Sequence, residues 1–596
     1  MSWTNELYHV YELVNNNNDE NNDEQVPMAP VAHDIIKANI EIAIDEHGNF
    51  KNAAILPDDE EIIIQVSEES AARSGTMSKP HPLNDKLKYF IKDNGIFYDL
   101  YMNNLKKWKD SDYTHPAVAA IYQYLEQSDI LYDLKEAGII VDEKKEKDKD
   151  KNGDKIVRFY IMYDDLQLES RTWEDASLRE AYQKYNATTF EDVQLCYATG
   201  ELLPCTYNHP KVVGNAKIIS SNDDKGCTFR GRFYDKKQAL SVSYDFSQKI
   251  HNALKWLIKK QGKRYGGLNI VIWASAEDAI CKVPDDFLEH NPEDDFLDEE
   301  CYDTLPLYRD WLKKYLFGYR QELQNNSKLM IIGLANATNG RMSISLYEEL
   351  SASDFLNNLE YWHISSSWLR YDKVKKVNTI KSCSLYEIIH SAYGSEEKGI
   401  LVCEPKALQR NILRLLPCIM MKRHLPMDLI QALYQKASNP LAYNKQYNHQ
   451  CVIEVACSML RLKMNEKKED VEFMYYDKDE KDRSYLYGCL LAIADKAEKD
   501  TYDEEEKKKR ITNARRYWEI FSQKPYQTWK IIEERLQPYL NRHPYRGLVE
   551  KNIEEVTDKF TKESFADNTR LEPLYLLGYH HFTSFMYRNG KTEEDK

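Results

Sequence analysis

The stretch SVSYDFSQKIHNALKWLIKKQGKRYGG, Ser241 to Gly267, concentrates cationic and amide side chains in a chain whose formal net charge is -16. Placed on a helix, Phe246 to Lys260 carries its polar groups on one face and apolar residues on the opposite face. Lys and Arg contact phosphates, and Gln or Asn can reach base edges. We therefore predict a nucleic-acid path or an RNA-facing contact along Gln248, Asn252, Lys255, Lys259, Lys263 and Arg264. The structural alternative is an amphipathic helix with a polar face and a basic C-terminus.

Catalytic motifs are missing from the sequence. We find no GxxxxGK[ST] loop, no HExxH, no GxSxG and no tandem His-Asp pair. Cys227 and His251 are conceivable as a nucleophile and a base, but nothing in the sequence ties them together. We therefore expect no catalytic residues, no metal site and no cofactor.

Length and composition set the broad class of protein. A chain of 596 residues is too long for one core and predicts several domains. There is no apolar run of transmembrane length and no signal-peptide pattern, and the 11 Cys form no CxxC pair. We expect a cytoplasmic protein with reduced thiols and no membrane partner. Many of the acids fall in short clusters such as Asp503 to Glu506, so basic surfaces can persist elsewhere.

Hydrophobic periodicity predicts an α+β protein. Ile40, Ile42 and Ile44 alternate before a turn and a returning strand, and a second hairpin is predicted over 138–164. Apolar runs at 329–335 and 342–350 predict two more strands, with a helix from about Ser353. Beyond about residue 400 helical patterns dominate and end in a bundle of roughly five helices. We predict a mixed α/β region with antiparallel hairpins over 1–395, a helical connector over 396–473 and a helical bundle over 474–596.

Several segments, taken in order, resemble one protein family. They are RSGxxxKPHPLNDKLKY from Arg73, CYATGELLPCTYNHPKVVG at 196–214, SNDDKGCTFRGRF at 221–233 and YDFSQKIHNALKWLIKKQG at 244–262. Near the C-terminus, YLYGCLLAIADKAEKD (485–500), RYWEIFSQKPYQTW (516–529) and LEPLYLLGYHHFTSFMYR (571–588) belong to the same set. The chain resembles the large subunit of the type I-C (Dvulg subtype) CRISPR surveillance complex, Cascade.

The resemblance implies a non-catalytic role in an RNA-guided complex. Such a subunit helps to recognise the protospacer-adjacent motif (PAM) on double-stranded DNA, promotes duplex opening, guides the displaced strand and supports recruitment of a helicase-nuclease. The implied partners are a guide RNA, backbone subunits, a guide-processing subunit and small helical subunits. Two alternatives from other classes are a nucleic-acid-cleaving enzyme of the same defence system and a protein-only scaffold.

The same resemblance suggests two further groups of residues. In the segment Arg73 to Lys88 we predict PAM contacts from Arg73, Ser74, Gly75, Lys79, Asn84, Lys86 and Lys88; the alternative is a loop that packs the N-terminal hairpins together. In the bundle, we predict a strand-binding face from Lys507, Lys508, Lys509, Arg510, Arg515 and Arg516. Family members can also translate the bundle separately from an internal start, for which Met474, behind the purine-rich codons of 466–469, is the candidate.

Overall fold

The computed structural model describes residues 3–16, 27–73, 79–139, 153–165, 167–190, 193–220, 232–275, 280–281, 284–285, 287–288, 302–323, 327–372, 375–466 and 474–594. The helices are α1 (Trp3–Asn16), α2 (Glu68–Ala71), α3 (Ile96–Lys109), α4 (Pro116–Gln127), α5 (Ile130–Glu136), α6 (Ala176–Thr188), α7 (Lys236–Ala239), α8 (Tyr244–Gln261), α9 (Leu305–Glu322), α10 (Ala352–Ser366), α11 (Leu385–Tyr393), α12 (Pro405–Met420), α13 (Met427–Ala437), α14 (Gln446–Asn465), α15 (Arg483–Lys499), α16 (Glu504–Lys509), α17 (Asn513–Gln523), α18 (Pro525–Leu540), α19 (Arg546–Thr557), α20 (Lys562–Ala566) and α21 (Leu574–Glu594).

The strands form two main sheets and three small ones. They are β1 (His33–Asp45), β2 (Phe50–Gln65), β3 (Asp85–Lys86), β4 (Ile156–Met162), β5 (Val193–Leu195), β6 (Leu202–Thr206), β7 (Val242–Ser243), β8 (Lys263–Tyr265), β9 (Leu268–Ser275), β10 (Ile280–Cys281), β11 (Lys328–Thr338), β12 (Arg341–Ser351), β13 (Trp368–Asp372), β14 (Val377–Lys381), β15 (Ser395–Glu397) and β16 (Ile400–Val402). The α+β class is confirmed, and every described element from Pro405 onward is helical.

The N-terminal sheet has the strand order β2-β1-β4-β3. The predicted hairpin is confirmed as β1 and β2, in which Ile40, Ile42 and Ile44 are buried against α3, α4 and α6. For the second predicted hairpin, residues 140–152 lie outside the described part of the chain. Its returning strand is β4, whose described partners are β1, in parallel, and β3. Parallel pairing requires a long crossover, which α3, α4 and α5 supply.

The central sheet, β10-β9-β11-β12 with β8 beside β9, has helices on both faces. Val271 and Trp273 pack toward α1 and α8, whereas Ile270 and Ile272 pack toward α10 and the C-terminal helices. Burial on both faces explains why β9 reads as an unbroken apolar run rather than as an alternation. The predicted strands at 329–335 and 342–350 are confirmed as β11 and β12, and α10 follows directly.

The largest hydrophobic cluster runs from Tyr265 to Phe582. It includes the predicted stripe of α15, in which Leu486, Leu490 and Ile493 are all buried. Met474 is also buried in this cluster, at 3% exposure. The predicted boundaries at 396 and 474 are therefore bridged by apolar packing, and they stay predictions. Within the described residues, no helix is both long and apolar enough to span a bilayer.

Several buried histidines predict a loss of stability in acid. Burial lowers the pKa of His33, His81 and His251 to about 4, and that of His449 to about 3. Each pKa lies below the ordinary value of 6.5, so the unfolded chain takes up protons first as the pH falls. The contribution of each neutral, buried histidine to the free energy of unfolding is complete above pH 6.5. It is lost between about pH 6.5 and pH 4, by roughly 3 kcal/mol per histidine.

We expect the thermal midpoint, measured by circular dichroism, to fall steeply as the pH is lowered from about 6.5 to about 4. His449→Gln keeps a donor for the Ala437 carbonyl, which lies 2.8 Å from Nε2, but cannot take up a proton in this range. This variant should lose part of the pH dependence of the thermal midpoint, and His47→Gln, at an exposed position, is the matched control. A midpoint that stays constant from pH 7.5 to pH 4.5 would contradict the assignment.

Candidate nucleic-acid interface

The two predicted lysines of α8 are held by acids of the N-terminal sheet. Lys255 Nζ donates to both carboxylate oxygens of Asp34 at 2.8 Å, and Lys259 is paired with Glu61. These acids lie more than 190 residues away in the sequence, in β1 and β2. Each ion pair is partly exposed, so its net contribution to stability is small. The pairs nevertheless fix the sheet against α8.

The amides of the same face are buried, so Gln248 and Asn252 are not accessible to a nucleic acid in this conformation. Gln248 and Asn252 are each 2% exposed, and Asn252 Nδ2 donates to the carbonyls of Ala29 and Pro30 at 3.0 and 3.1 Å. The segment before β1 covers this part of the helix. Its carbonyl groups are the acceptors that the buried Asn252 amide requires. At the helix end, Lys263 pairs with Asp285 at 3.3 Å, and Arg264 Nε donates to the Gly266 carbonyl.

Arg73 anchors the loop that was predicted to contact the PAM. Its guanidinium donates to both oxygens of Asp85, at 2.7 and 2.6 Å, and to the Lys79 carbonyl at 3.2 Å. Asp85 is fully buried and also accepts from the backbone N–H of His81. A planar guanidinium matches a carboxylate in this bidentate way, which favours a positioning role for Arg73.

Substitutions of Arg73 and of Lys79 should distinguish a residue that positions the loop from a residue that contacts a phosphate. Arg73→Ala leaves the buried Asp85 carboxylate without its counter-ion, and we expect a loss of about 3 kcal/mol in stability. Lys79 is 49% exposed and pairs with the exposed Glu69, so Lys79→Ala should leave the free energy of unfolding within about 0.5 kcal/mol of the parent value. Lys79→Ala should instead lower the salt slope of DNA binding by roughly one.

Thermal melting and binding at several salt concentrations measure the two effects. If Arg73→Ala and the parent protein have equal thermal midpoints, Arg73 does not anchor the loop. An unchanged salt slope for Lys79→Ala would remove Lys79 from the interface.

The remaining residues of this loop differ in accessibility. Asn84 is fully buried, and its Oδ1 accepts from the Phe159 backbone N–H at 3.1 Å, so in this conformation it cannot reach a base edge. Lys86 and Lys88 both approach Asp154, at 2.8 and 3.6 Å, and remain partly exposed. Ser74 and Gly75 lie outside the described residues.

A cationic groove adjoins this loop and lies between α2, the chain after β6 and the β11–β12 turn. One part is a cavity of about 520 Å³. Its polar lining consists of Glu69, Lys79, Asn208, Lys211, Asn215, Lys217, Ser220, Asn339 and Arg341. A second cavity of about 310 Å³ shares Lys211 and extends along Lys255 and Lys259. Lys211 therefore joins the surface near Lys79 to the surface of α8.

The backbone positions Lys211 and Lys217 on this groove. Glu68 Oε1 accepts from the N–H groups of Tyr207 and Asn208, at 3.2 and 3.1 Å, and so fixes the start of the segment. The Lys217 N–H donates to the Gly340 carbonyl at 3.1 Å, while the Lys217 carbonyl accepts from Met342 at 2.8 Å. These bonds hold the segment against the turn that carries Arg341.

The groove carries positive charges that repel one another. Burial, followed by the charges of Arg73 and Lys86, lowers the pKa of Lys211. Burial lowers the pKa of Lys217 most, and the positive charges of Lys211 and Arg341 lower this pKa further. In the larger cavity the one lining carboxylate is Glu69, which pairs with Lys79 at 3.2 Å. An anion placed among these side chains relieves both the repulsion and the cost of burial.

The sequence prediction missed Lys211, Lys217 and Arg341. A usable signal was present, because the stretch from Leu202 to Asn222 contains two lysines and no acidic residue in an otherwise acidic chain. Arg341 had no comparable signal, since only the fold brings the β11–β12 turn beside this stretch.

The predicted basic face of the bundle does not line either cavity and is largely paired. Three of its cations pair with acids one helical turn away. The nitrogen-to-carboxylate distances are 2.7 Å for Lys507 and Glu504, 3.4 Å for Lys509 and Glu505, and 2.8 Å for Arg510 and Glu506. Arg515 is held by Asp495 at 3.1 Å. Arg516 is exposed on α17, and the side chain of Lys508 lies outside the described part of the structure.

The described ranges contain no group of three or more His, Cys, Asp or Glu side chains that could hold a metal ion. The buried pair His209 and His251 stacks with ring centroids 5.8 Å apart around Ser247, whose Oγ lies 2.9 Å from His209 Nδ1. Burial lowers the pKa of both rings. The surroundings of His251 are thus a packed core.

The chain matches a model of a known protein family. A family model described as CRISPR-associated protein (Cas_Csd1) matches residues 7–587, which is nearly the whole chain. A search of curated proteins found no match.

Proposed function

We propose, because the chain belongs to the Cas_Csd1 family of CRISPR-associated proteins, that it is the large, non-catalytic subunit of a type I-C surveillance complex. In this role it binds the PAM-bearing duplex, promotes opening of the duplex, guides the displaced strand and supports recruitment of a helicase-nuclease. It acts in the cytoplasm with a guide RNA and with backbone, guide-processing and small helical subunits.

The observation that carries this proposal is the groove around Lys211 and Lys217. Its lysines are partly buried and their pKa values are lowered, which is typical of a site completed by an anion. Amide side chains from Asn208, Asn215 and Asn339 lie beside the cations. Cations that position a phosphate backbone next to amides that can reach base edges form the combination that duplex recognition requires.

The direct test is duplex binding by the complex assembled around this chain. The complex with guide RNA should bind target DNA that carries the PAM, with an affinity that falls steeply as salt increases. The chain should cleave no DNA in magnesium or manganese when the helicase-nuclease is absent. Salt-independent association without nucleic acid would favour the protein-only scaffold, and metal-dependent cleavage by the purified chain would favour the nuclease.

A further inference from the structure

A second cationic cavity, separate from the groove, lies in the helical half of the chain. Its volume is about 430 Å³, and its walls are the C-terminal end of α10, the turn after α12 and the C-terminal half of α14. Cationic side chains line it from three elements: Arg309 of α9, Lys422 and Arg423 of the turn, and Arg461 of α14. Arg461 is 1% exposed, so part of this positive charge is built into the interior.

The carboxylate among the lining residues, Glu466, already has partners. Its oxygens accept from the Leu425 N–H and from Lys463 Nζ, each at 2.6 Å, and His424 lies 3.3 Å away. Arg423 is 62% exposed, and its guanidinium lies 3.9 Å from the carboxylate of Glu348. The lining therefore carries four Lys or Arg side chains and one carboxylate, and Arg461 Nη1 also donates to the carbonyls of Ile364 and Ser367.

Lys422 has an unusual environment and backbone. Its ammonium lies 3.9 Å from the ring centroid of Tyr361, which also lines the cavity, and no ion pair joins it to an acid among the described residues. Its φ of 54° places it in the left-handed region, at a helix end where glycine is the usual residue. The chain thus keeps a strained lysine at the mouth of this cavity.

Trp362 forms part of the buried wall of the cavity. It is 2% exposed, and its indole Nε1 has no hydrogen-bond partner among the residues that the structure describes. The nitrogen is itself enclosed by protein atoms, so Trp362 contributes a packed ring to the cavity wall rather than a donor to a ligand.

We propose that this cavity binds a phosphorylated nucleoside unit. Arginine and lysine side chains are the usual partners of a phosphate, and Tyr361 with Trp362 forms an aromatic wall suited to a base. The volume lies within the range of small-ligand sites. The unit can be a free nucleotide or part of a nucleic-acid strand, since both offer the same phosphate chemistry. The site does not depend on the proposed role of the groove.

Acetylation of lysines in the full-length chain, followed by mass spectrometry, tests the site directly. Lys422 is exposed and reports on the cavity, while Lys406, exposed at the other end of α12, is the internal control. The probes are inorganic phosphate, AMP and 5′-phosphorylated tetrathymidylate. We expect a saturating probe to slow acetylation of Lys422 about fivefold or more and to leave Lys406 unchanged. Protection by AMP indicates a free nucleotide, and protection by the oligonucleotide alone indicates a strand.

Variants show whether the protection arises in this cavity. Arg423→Glu should raise the AMP or oligonucleotide concentration needed for half-protection about tenfold, equivalent to about 1.4 kcal/mol. Lys406→Glu should not change it, and neither should charge reversal of Lys211 and Lys217 in the groove. The proposal is overturned if no probe protects Lys422, if only inorganic phosphate does, or if Arg423→Glu binds the probe as the parent protein does.

Discussion

Charge reversal at Lys211 and Lys217 should abolish most of the DNA affinity of the assembled complex. Each Glu replaces a phosphate partner with a repelling charge, and a change of about 1.4 kcal/mol per site is a factor of ten. We expect Lys211→Glu/Lys217→Glu to bind the PAM-bearing duplex at least about 100-fold more weakly, and the salt slope to fall by about two. Fluorescence anisotropy at three salt concentrations measures both quantities.

A matched control separates this effect from a general loss of charge. Lys107 is an exposed lysine on α3, away from both cavities, and Lys107→Glu should bind like the parent protein. If the double variant assembles normally and binds the duplex with unchanged affinity, the groove is not the DNA site.

A neutral substitution tests the electrostatics of the free chain. Because the lowered pKa of Lys217 means that folding disfavours its charge, Lys217→Met should raise the thermal midpoint while weakening DNA binding. A lower midpoint would contradict the repulsion among the groove cations.

The second large effect concerns the contact between α15 and α21. These helices pack in parallel orientation and cross at Gly488 and Gly578, so closely that a Cβ on either glycine would overlap a carbonyl oxygen of the other helix. Those oxygens belong to Tyr575 and Tyr485. The backbone cannot yield as a flexible side chain does, so a methyl group at either position must push the helices apart. The loss extends to the surrounding core, which includes Leu490.

We expect Gly578→Ala to destabilise the chain by about 3 kcal/mol and, because the entropy of unfolding scales with chain length, to lower the thermal midpoint by about 2 °C. Gly318→Ala is the matched control, because Gly318 also lies within a helix and a Cβ there meets nothing within 4 Å. That substitution should be neutral or stabilising by up to about 1 kcal/mol. Similar midpoints for the two variants would show that the crossing tolerates a side chain.

The sequence alone determined the elements whose pattern is local. The helix from Tyr244 to Gln261, the strands on either side of Asn339 and the buried stripe of α15 all follow from periodicity within a few turns or residues. The family also follows from the sequence, because the order of short segments over 7–587 is specific even where each segment is weak. Local periodicity identifies a buried face, but it does not identify what covers that face.

Only the tertiary structure decided which polar residues are available to a ligand. Lys255 and Asn252 share a helical face that carries no acid, yet Asp34 and the carbonyl of Pro30 reach them from about 220 residues away in the sequence. Conversely, Lys211 and Lys217 come together with Arg341 because one backbone segment pairs with the β11–β12 turn. A charged or amide side chain bonds to the groups that the fold brings within about 3 Å of it. The separation of two residues in the sequence does not predict which groups these are.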